Sequence, residues 1–120
     1  MDQRSAVEIG NLFSSVQFHV VNEVELQSAV AAVLTKSGVP FQTEVRLSPR
    51  DRIDFMHGTV GIELKVRGSW ESLERQLLRY AASTGVGELL VLSTRFAHTR
   101  IVPPMLNGKP LTVVRLKVFA

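Results

Sequence analysis

The sequence predicts an α/β fold, a central mixed β-sheet sandwiched between helices. Three observations lead there. The periodic segments run in the order helix, three strands, helix, strand, strand. Residues 89–92, Leu-Leu-Val-Leu, form a continuous apolar run of the kind found in strands buried on both faces, which places residues 88–94 at the centre of the sheet. Residues 52–56 and 60–67 are strand-like runs flanking His57-Gly58, and together they read as a β-hairpin.

Residues 1–20 are compatible with two forms. Ala6, Val7, Ile9, Leu12 and Phe13 suit one side of a short helix, whereas Val16, Phe18 and Val20 alternate as a strand does. So many apolar groups need burial, either as a cap on the core or as an arm or dimerisation segment against a second subunit. Asn22 is an N-cap for a helix running to Lys36, stopped by Ser37-Gly38 with Pro40 beyond. Leu26, Val30, Val33 and Leu34 form its apolar stripe, and a helical wheel turns Glu23 toward the protein and Glu25 toward water. Residues 41–47 read as a strand, and Ser48-Pro49-Arg50-Asp51 as a turn into the hairpin.

Ser69 caps the next helix, which continues to about Ser83 before Gly85 and Gly87 end it. Leu73, Leu77, Tyr80 and Ala81 are its buried stripe; Gln76 sits one turn before Tyr80 at the stripe's edge, and Glu71, Arg75 and Arg79 form an outer ladder. Asn107-Gly108-Lys109-Pro110 is a loop signal, and residues 111–119 alternate as a final strand.

One domain spans residues 1–120, with no internal repeat, linker or low-complexity tract. The 45% hydrophobic and 21% charged content is ordinary for a globular chain. A net charge of +3 admits a polyanionic partner without demanding one. With no cysteine, disulfides and thiolate metal sites are excluded, and any metal falls to oxygen or imidazole ligands. His19, His57 and His98 lack metal-ligand spacing and read as structural. No apolar run is long enough to span a bilayer, and Met-Asp-Gln-Arg opens no signal-peptide core, so the expectation is a cytoplasmic protein with no membrane partner.

The hairpin concentrates the chemistry. If His57 and Gly58 form its loop, Met56 pairs with Thr59 and Asp54 with Gly61; Glu63 and Lys65 then share a face with Asp54. Asp54 and Glu63 become a diagonal pair, roughly 7 Å apart at Cα and within metal-bridging range at their side chains. The bland counterpart is a solvated face of cross-strand ion pairs.

These residues and their order resemble the PD-(D/E)XK nuclease superfamily. Asp54 matches the family's first acid, and Glu63-Leu64-Lys65 matches the (D/E)XK tripeptide nine residues later. Glu23 matches the acid that many members carry on the first helix, with Glu25 the rival, and Gln76-Leu-Leu-Arg-Tyr80 resembles the QxxxY element of several branches. The match covers residues 22–94, and Ile53 stands where the family name has proline.

The resemblance implies a restriction-endonuclease-like core (αβββαβ) and a metal-dependent DNA endonuclease, similar to small Holliday junction resolvases or to phage repair and recombination nucleases. Asp54, Glu63, Glu23 and the Leu64 carbonyl would hold Mg²⁺ or Mn²⁺, with Lys65 and Gln76 completing the catalytic set. Arg46, Arg50, Arg52, Arg67, Arg75 and Arg79 would bind DNA phosphates, with Tyr80 supporting Gln76 or reaching a phosphate. DNA, branched forms included, is the implied partner and a homodimer the implied assembly. The alternative is a catalytically inactive nuclease fold acting as a DNA-binding or assembly subunit. Trp70 reads as a packing residue, with base stacking as its other role.

Overall fold

A computed structural model describes residues 2–19, 22–100 and 102–119. Helix α1 (Ala6–Asn11) starts with a capping box, Ser5 accepting from the Glu8 N–H while the Glu8 carboxylate accepts from the Ser5 N–H. The short strand β1 (Gln17–Phe18) follows. Helix α2 (Glu23–Lys36) is capped as the sequence predicts, with the Asn22 side chain accepting from the Glu25 N–H at 2.8 Å, and it ends at Gly38, whose φ of +72° suits only a residue without a side chain.

Strands β2 (Gln42–Arg46), β3 (Arg52–His57) and β4 (Val60–Lys65) form an antiparallel meander. Helix α3 (Trp70–Ala81), capped by Ser69, then crosses to β5 (Glu88–Ser93), which pairs parallel with β4. A 3-10 turn, Phe96–His98, precedes the hairpin of β6 (Met105–Leu106) and β7 (Lys109–Arg115). The two-residue β8 (Lys117–Val118) pairs parallel with β1, so a separate small sheet ties the two ends of the chain together.

The main sheet has the order β2-β3-β4-β5-β7-β6, and β5 is central as predicted, with every apolar side chain of its Leu-Leu-Val-Leu run fully buried. Alternation along β5 divides the core. Leu90 and Leu92 pack with Phe55, Ile62 and Leu64 against α1 and α2; Leu89 and Val91 pack with Ile53, Met56 and Leu111 against α3. Each large apolar side chain so buried contributes about 1.5–3 kcal/mol. Both stripes fall where periodicity puts them: Leu26, Val30 and Leu34 are buried on α2 with Val33 half-buried against the same core, and Leu73, Leu77, Tyr80 and Ala81 are buried on α3. Trp70 packs at the edge of the α3 layer.

Of the two roles open to the N-terminal segment, residues 6–18 cap their own core, with Ala6, Ile9, Phe13 and Phe18 buried and only Val7 of the helical set turned to solvent. Val20 lies outside the described residues. Asn107-Gly108 is a two-residue hairpin turn with φ of +49° and +74°, and Lys109 and Pro110 belong to β7 rather than to a loop. Among the described residues no helix is long and apolar enough to cross a membrane.

Candidate functional site

The β3–β4 turn is Gly58-Thr59, one step later than the sequence suggests. His57 pairs with Val60, Met56 with Gly61 and Phe55 with Ile62. The cause is tertiary: His57 is buried, its Nδ1 lies 2.7 Å from the Pro40 carbonyl, and Asp2 Oδ1 stands 3.1 Å from its Nε2, so it is held in the strand while Gly58 takes φ +56°. Pairing is thereby displaced by two residues. Asp54 comes opposite Glu63 rather than diagonal to it, and a displacement of two leaves every side chain on its original face.

At Asp54 the ladder gives way on both sides of β3. Beyond Phe55–Ile62 the cross-strand backbone bonds are replaced by carboxylates: the Leu64 N–H donates to Asp54 Oδ2 at 2.8 Å, and the Asp54 N–H donates to Glu63 Oε1 at 3.3 Å. On the other side Thr43 pairs with Phe55 and Val45 with Ile53, but Glu44 between them takes φ +51°. A non-glycine residue in that region carries strain of order 1 kcal/mol or more. Two strands therefore part around one aspartate.

Burial sets the electrostatics. Glu63 is 4% exposed, and its carboxyl is pushed up to about 8, first by desolvation and then by the Asp54 charge, with Lys65 pulling the other way. Asp54 is raised too, chiefly by desolvation, against which the Leu64 N–H favours its charged form. Near neutral pH the two carboxyls therefore share a proton. Lys65 Nζ lies 3.5 Å from Glu63 Oε2 with its side chain 24% exposed, at the mouth of the site. Beneath, the Tyr80 hydroxyl lies 3.1 Å from the Arg52 carbonyl and 3.5 Å from Glu63 Oε2, and it accepts from Gln76 Nε2 at 2.7 Å. Desolvation and the neighbouring acids keep that phenol protonated.

Comparison with family models, curated proteins and solved structures finds no match. The site must be argued from its own chemistry.

Asp54, Glu63, Lys65, Gln76 and Tyr80 come together. Tyr80 is 1% exposed with its hydroxyl turned inward, so it supports Arg52 and Glu63 from below and is shut off from a phosphate in solvent. Glu23 does not turn into the protein. It is exposed beside Val24, itself 74% exposed, and Leu26 is the first α2 side chain to be buried. Its charge still contributes to raising Asp54. Glu25 is exposed as expected. Among the described residues no group of three or more His, Asp or Glu forms a metal cluster, so the acids the site offers a cation are the Asp54–Glu63 pair. That set suits Mg²⁺, which takes one or two carboxylates and leaves its other positions to water and phosphate.

Arg46 and Arg52 pair across β2 and β3, with Arg50 in the turn between, all exposed at the end of the sheet that holds the site. Arg67 is exposed just after Lys65. On α3, Arg75 is exposed, while Arg79 donates to Asp51 at 3.0 Å instead of extending the ladder outward. The cleft space around His57 and Asp2, about 410 Å³ on one side and about 570 Å³ on the other, lies at the opposite end of the hairpin.

Motif reasoning does not reach two features. Glu44 has no sequence mark of its left-handed backbone. Ser93 and His98 are wholly buried and hydrogen-bonded at 2.7 Å, with His98 Nε2 2.9 Å from the Gly68 carbonyl, which fastens the loop after Lys65 to the end of β5. The structural role expected of His98 fits this arrangement.

Proposed function

We propose that this chain is a divalent-cation-dependent nuclease hydrolysing DNA phosphodiester bonds, with Asp54 and Glu63 as metal ligands and Lys65 beside the scissile phosphate. One observation carries it: the buried Glu63 carboxyl and the half-buried Asp54 carboxyl face each other where their strands separate, with Lys65 beside them. A decorated hairpin surface would leave both acids in water. Both carboxyls are raised first by desolvation, so drawing them together out of water opposes folding, and such groups cluster at sites that do chemistry.

Bound by Asp54, Glu63 and the Leu64 carbonyl, Mg²⁺ or Mn²⁺ would neutralise charge on the phosphate and lower the pKa of an attacking water. The chain's own groups supply the rest. Asp54 is fixed by the Leu64 N–H, and Glu63 by the Asp54 N–H and Tyr80, so both oxygens are oriented before substrate arrives. Lys65 offers a compact cationic donor to the charge that develops at phosphorus. Gln76 holds Tyr80 in place. Glu23, whose charge acts on Asp54, would orient a water. Arg46, Arg50, Arg52 and Arg67 surround this end of the sheet, where phosphates flanking the cut would lie. The C-terminal ends of β4, β5 and β7 open here too, the usual location of sites in open α/β sheets. We assign structure-selective cleavage of branched DNA by a homodimer as the working form, because cutting two symmetric strands calls for two centres related by a two-fold axis.

The test is cleavage of branched and linear DNA with Mg²⁺. The parent should cut, and Asp54→Ala and Lys65→Met should each lower the rate by 100-fold or more, on the order of 3 kcal/mol of transition-state stabilisation. Equal cutting by parent and variants, or no cutting of any substrate, would overturn the assignment.

A further inference from the structure

All eleven acids of this chain lie at or before Glu88, so residues 89–120 carry Arg95, Arg100, Lys109, Arg115 and Lys117 with no carboxylate side chain among them. This stretch also bears two exposed aromatic rings, Phe96 at 59% and Phe119 at 46% exposure. Rings left in water next to cations need a reason, and here each has a polar or cationic neighbour. The Arg115 guanidinium carbon sits 5.3 Å from the Phe96 ring centroid, and His19 lies 5.9 Å from Phe119, centroid to centroid. A groove of about 450 Å³ is lined by Thr94, Arg115, Leu116, Lys117, Val118 and Phe119, so Phe119 is in its wall and Phe96 adjoins it through Arg115.

The groove abuts the site. Lys65, Ser93 and Arg115 are consecutive register partners across β4, β5 and β7, so Arg115 is two strand spacings, roughly 10 Å, from Lys65. The Thr94 N–H, at the near end of the groove, donates to the Lys65 carbonyl at 3.0 Å.

From this geometry we infer that the groove binds an unpaired nucleic-acid strand, with bases stacking on Phe96 and Phe119 and the backbone tracking Arg95, Arg115 and Lys117. A guanidinium packed on one face of Phe96 leaves the opposite face for a base, and the charged side chains lining the groove, Arg115 and Lys117, are both cationic, opposite in sign to phosphate. Bases in a duplex are stacked on one another and offer no free face, so the complement is a single strand. An apolar protein segment would have to bury the basic rim without counter-charges. Arg115 lies about three nucleotides from Lys65 at the stacked spacing of ~3.4 Å. The bound strand is thus the one led to the carboxylate pair, and the substrate class becomes DNA with a single-stranded arm. That last step rests on the nuclease reading; the binding does not.

The experiment is fluorescence anisotropy of the full chain with labelled oligo-dT and a duplex of equal length, in EDTA so that no metal chemistry intervenes. Single strand should bind more tightly than duplex. Phe96→Ala and Phe119→Ala should each weaken it by roughly 5- to 100-fold, and Phe96→Trp should restore it. Arg115→Ala should weaken binding and flatten the salt dependence by about one phosphate contact. Circular dichroism of each variant separates lost binding from lost fold, and both rings are exposed. Single strand binding no better than duplex, or alanine variants binding as the parent does, would overturn the inference whether or not the protein cuts DNA. Intact stacking-dependent binding without cleavage would leave the groove standing and remove the nuclease reading alone.

Discussion

Replacing Glu63 by Gln should stabilise the metal-free protein at alkaline pH. The carboxyl is raised from 4.5 to about 8 in the fold, so the native state holds a proton that the unfolded chain releases. Below pH 4.5 both states are protonated and the group costs nothing. Between that point and about pH 8 the unfolded state binds fewer protons, and native stability falls steadily as pH rises. At about 1.36 kcal/mol per pH unit, the interval caps the loss at about 5 kcal/mol. Sharing of the proton with Asp54 and relaxation where β3 and β4 part reduce this, to about 2–4 kcal/mol in measurement. That is a large fraction of the roughly 10 kcal/mol expected for a domain of this size. Glutamine keeps the shape and the acceptor for the Asp54 N–H while removing the charge. Urea denaturation at pH 5, 7 and 9 in EDTA reads the effect. The parent should lose stability toward pH 9, whereas Glu63→Gln should be nearly flat and should exceed the parent there. A parent whose stability is unchanged or rises from pH 5 to 9, or a variant no more stable than the parent at pH 9, would refute the burial of the Glu63 carboxyl beside Asp54.

Two further changes probe how the site is held. Gly61→Ala would set a Cβ 2.6 Å from Ile53 Cδ1 and 3.3 Å from Leu89 Cδ2, beneath the strand that carries Asp54. Ile53 can turn its terminal methyl aside only within a filled core, so a loss of about 1–3 kcal/mol is expected in denaturation, and an unchanged midpoint would contradict the tight contact. Tyr80→Phe removes the hydroxyl shared by Arg52, Glu63 and Gln76 and should cost about 1–2 kcal/mol by the same measurement. It should also slow cleavage through Glu63, with substrate binding unchanged; a loss confined to binding would instead put Tyr80 on the phosphate.

Much of this arrangement was legible before any coordinates. Asn22 and Ser69 announce their helices, the stripes of α2 and α3 are read from spacing alone, and the unbroken apolar run of β5 marks the sheet's centre. Asp54 and Glu63 share a region for a robust reason: a two-residue error in the turn preserves which face a side chain takes. Their direct opposition was not legible, because it depends on His57 being held against Pro40, a contact seventeen residues distant. The exposure of Glu23 was not legible either, since a helical wheel ranks the faces of a helix but does not say how fully its first turn is covered. The pairing of β1 with β8 and the docking of α1 are contacts between chain ends that no local pattern encodes. The confinement of all acids to the first 88 residues was plain in the sequence, but it acquires meaning only once Arg115, packed on Phe96, is seen two strands from Lys65 with Phe119 in the same groove.

The most direct measurement is the position of Mn²⁺ in a crystal of the protein, located by its anomalous scattering. Density between the Asp54 and Glu63 carboxylates, within about 2.5 Å of an oxygen from each and absent from Glu63→Gln crystals, is the predicted result. Mn²⁺ bound elsewhere while that pair stays protonated would contradict the account.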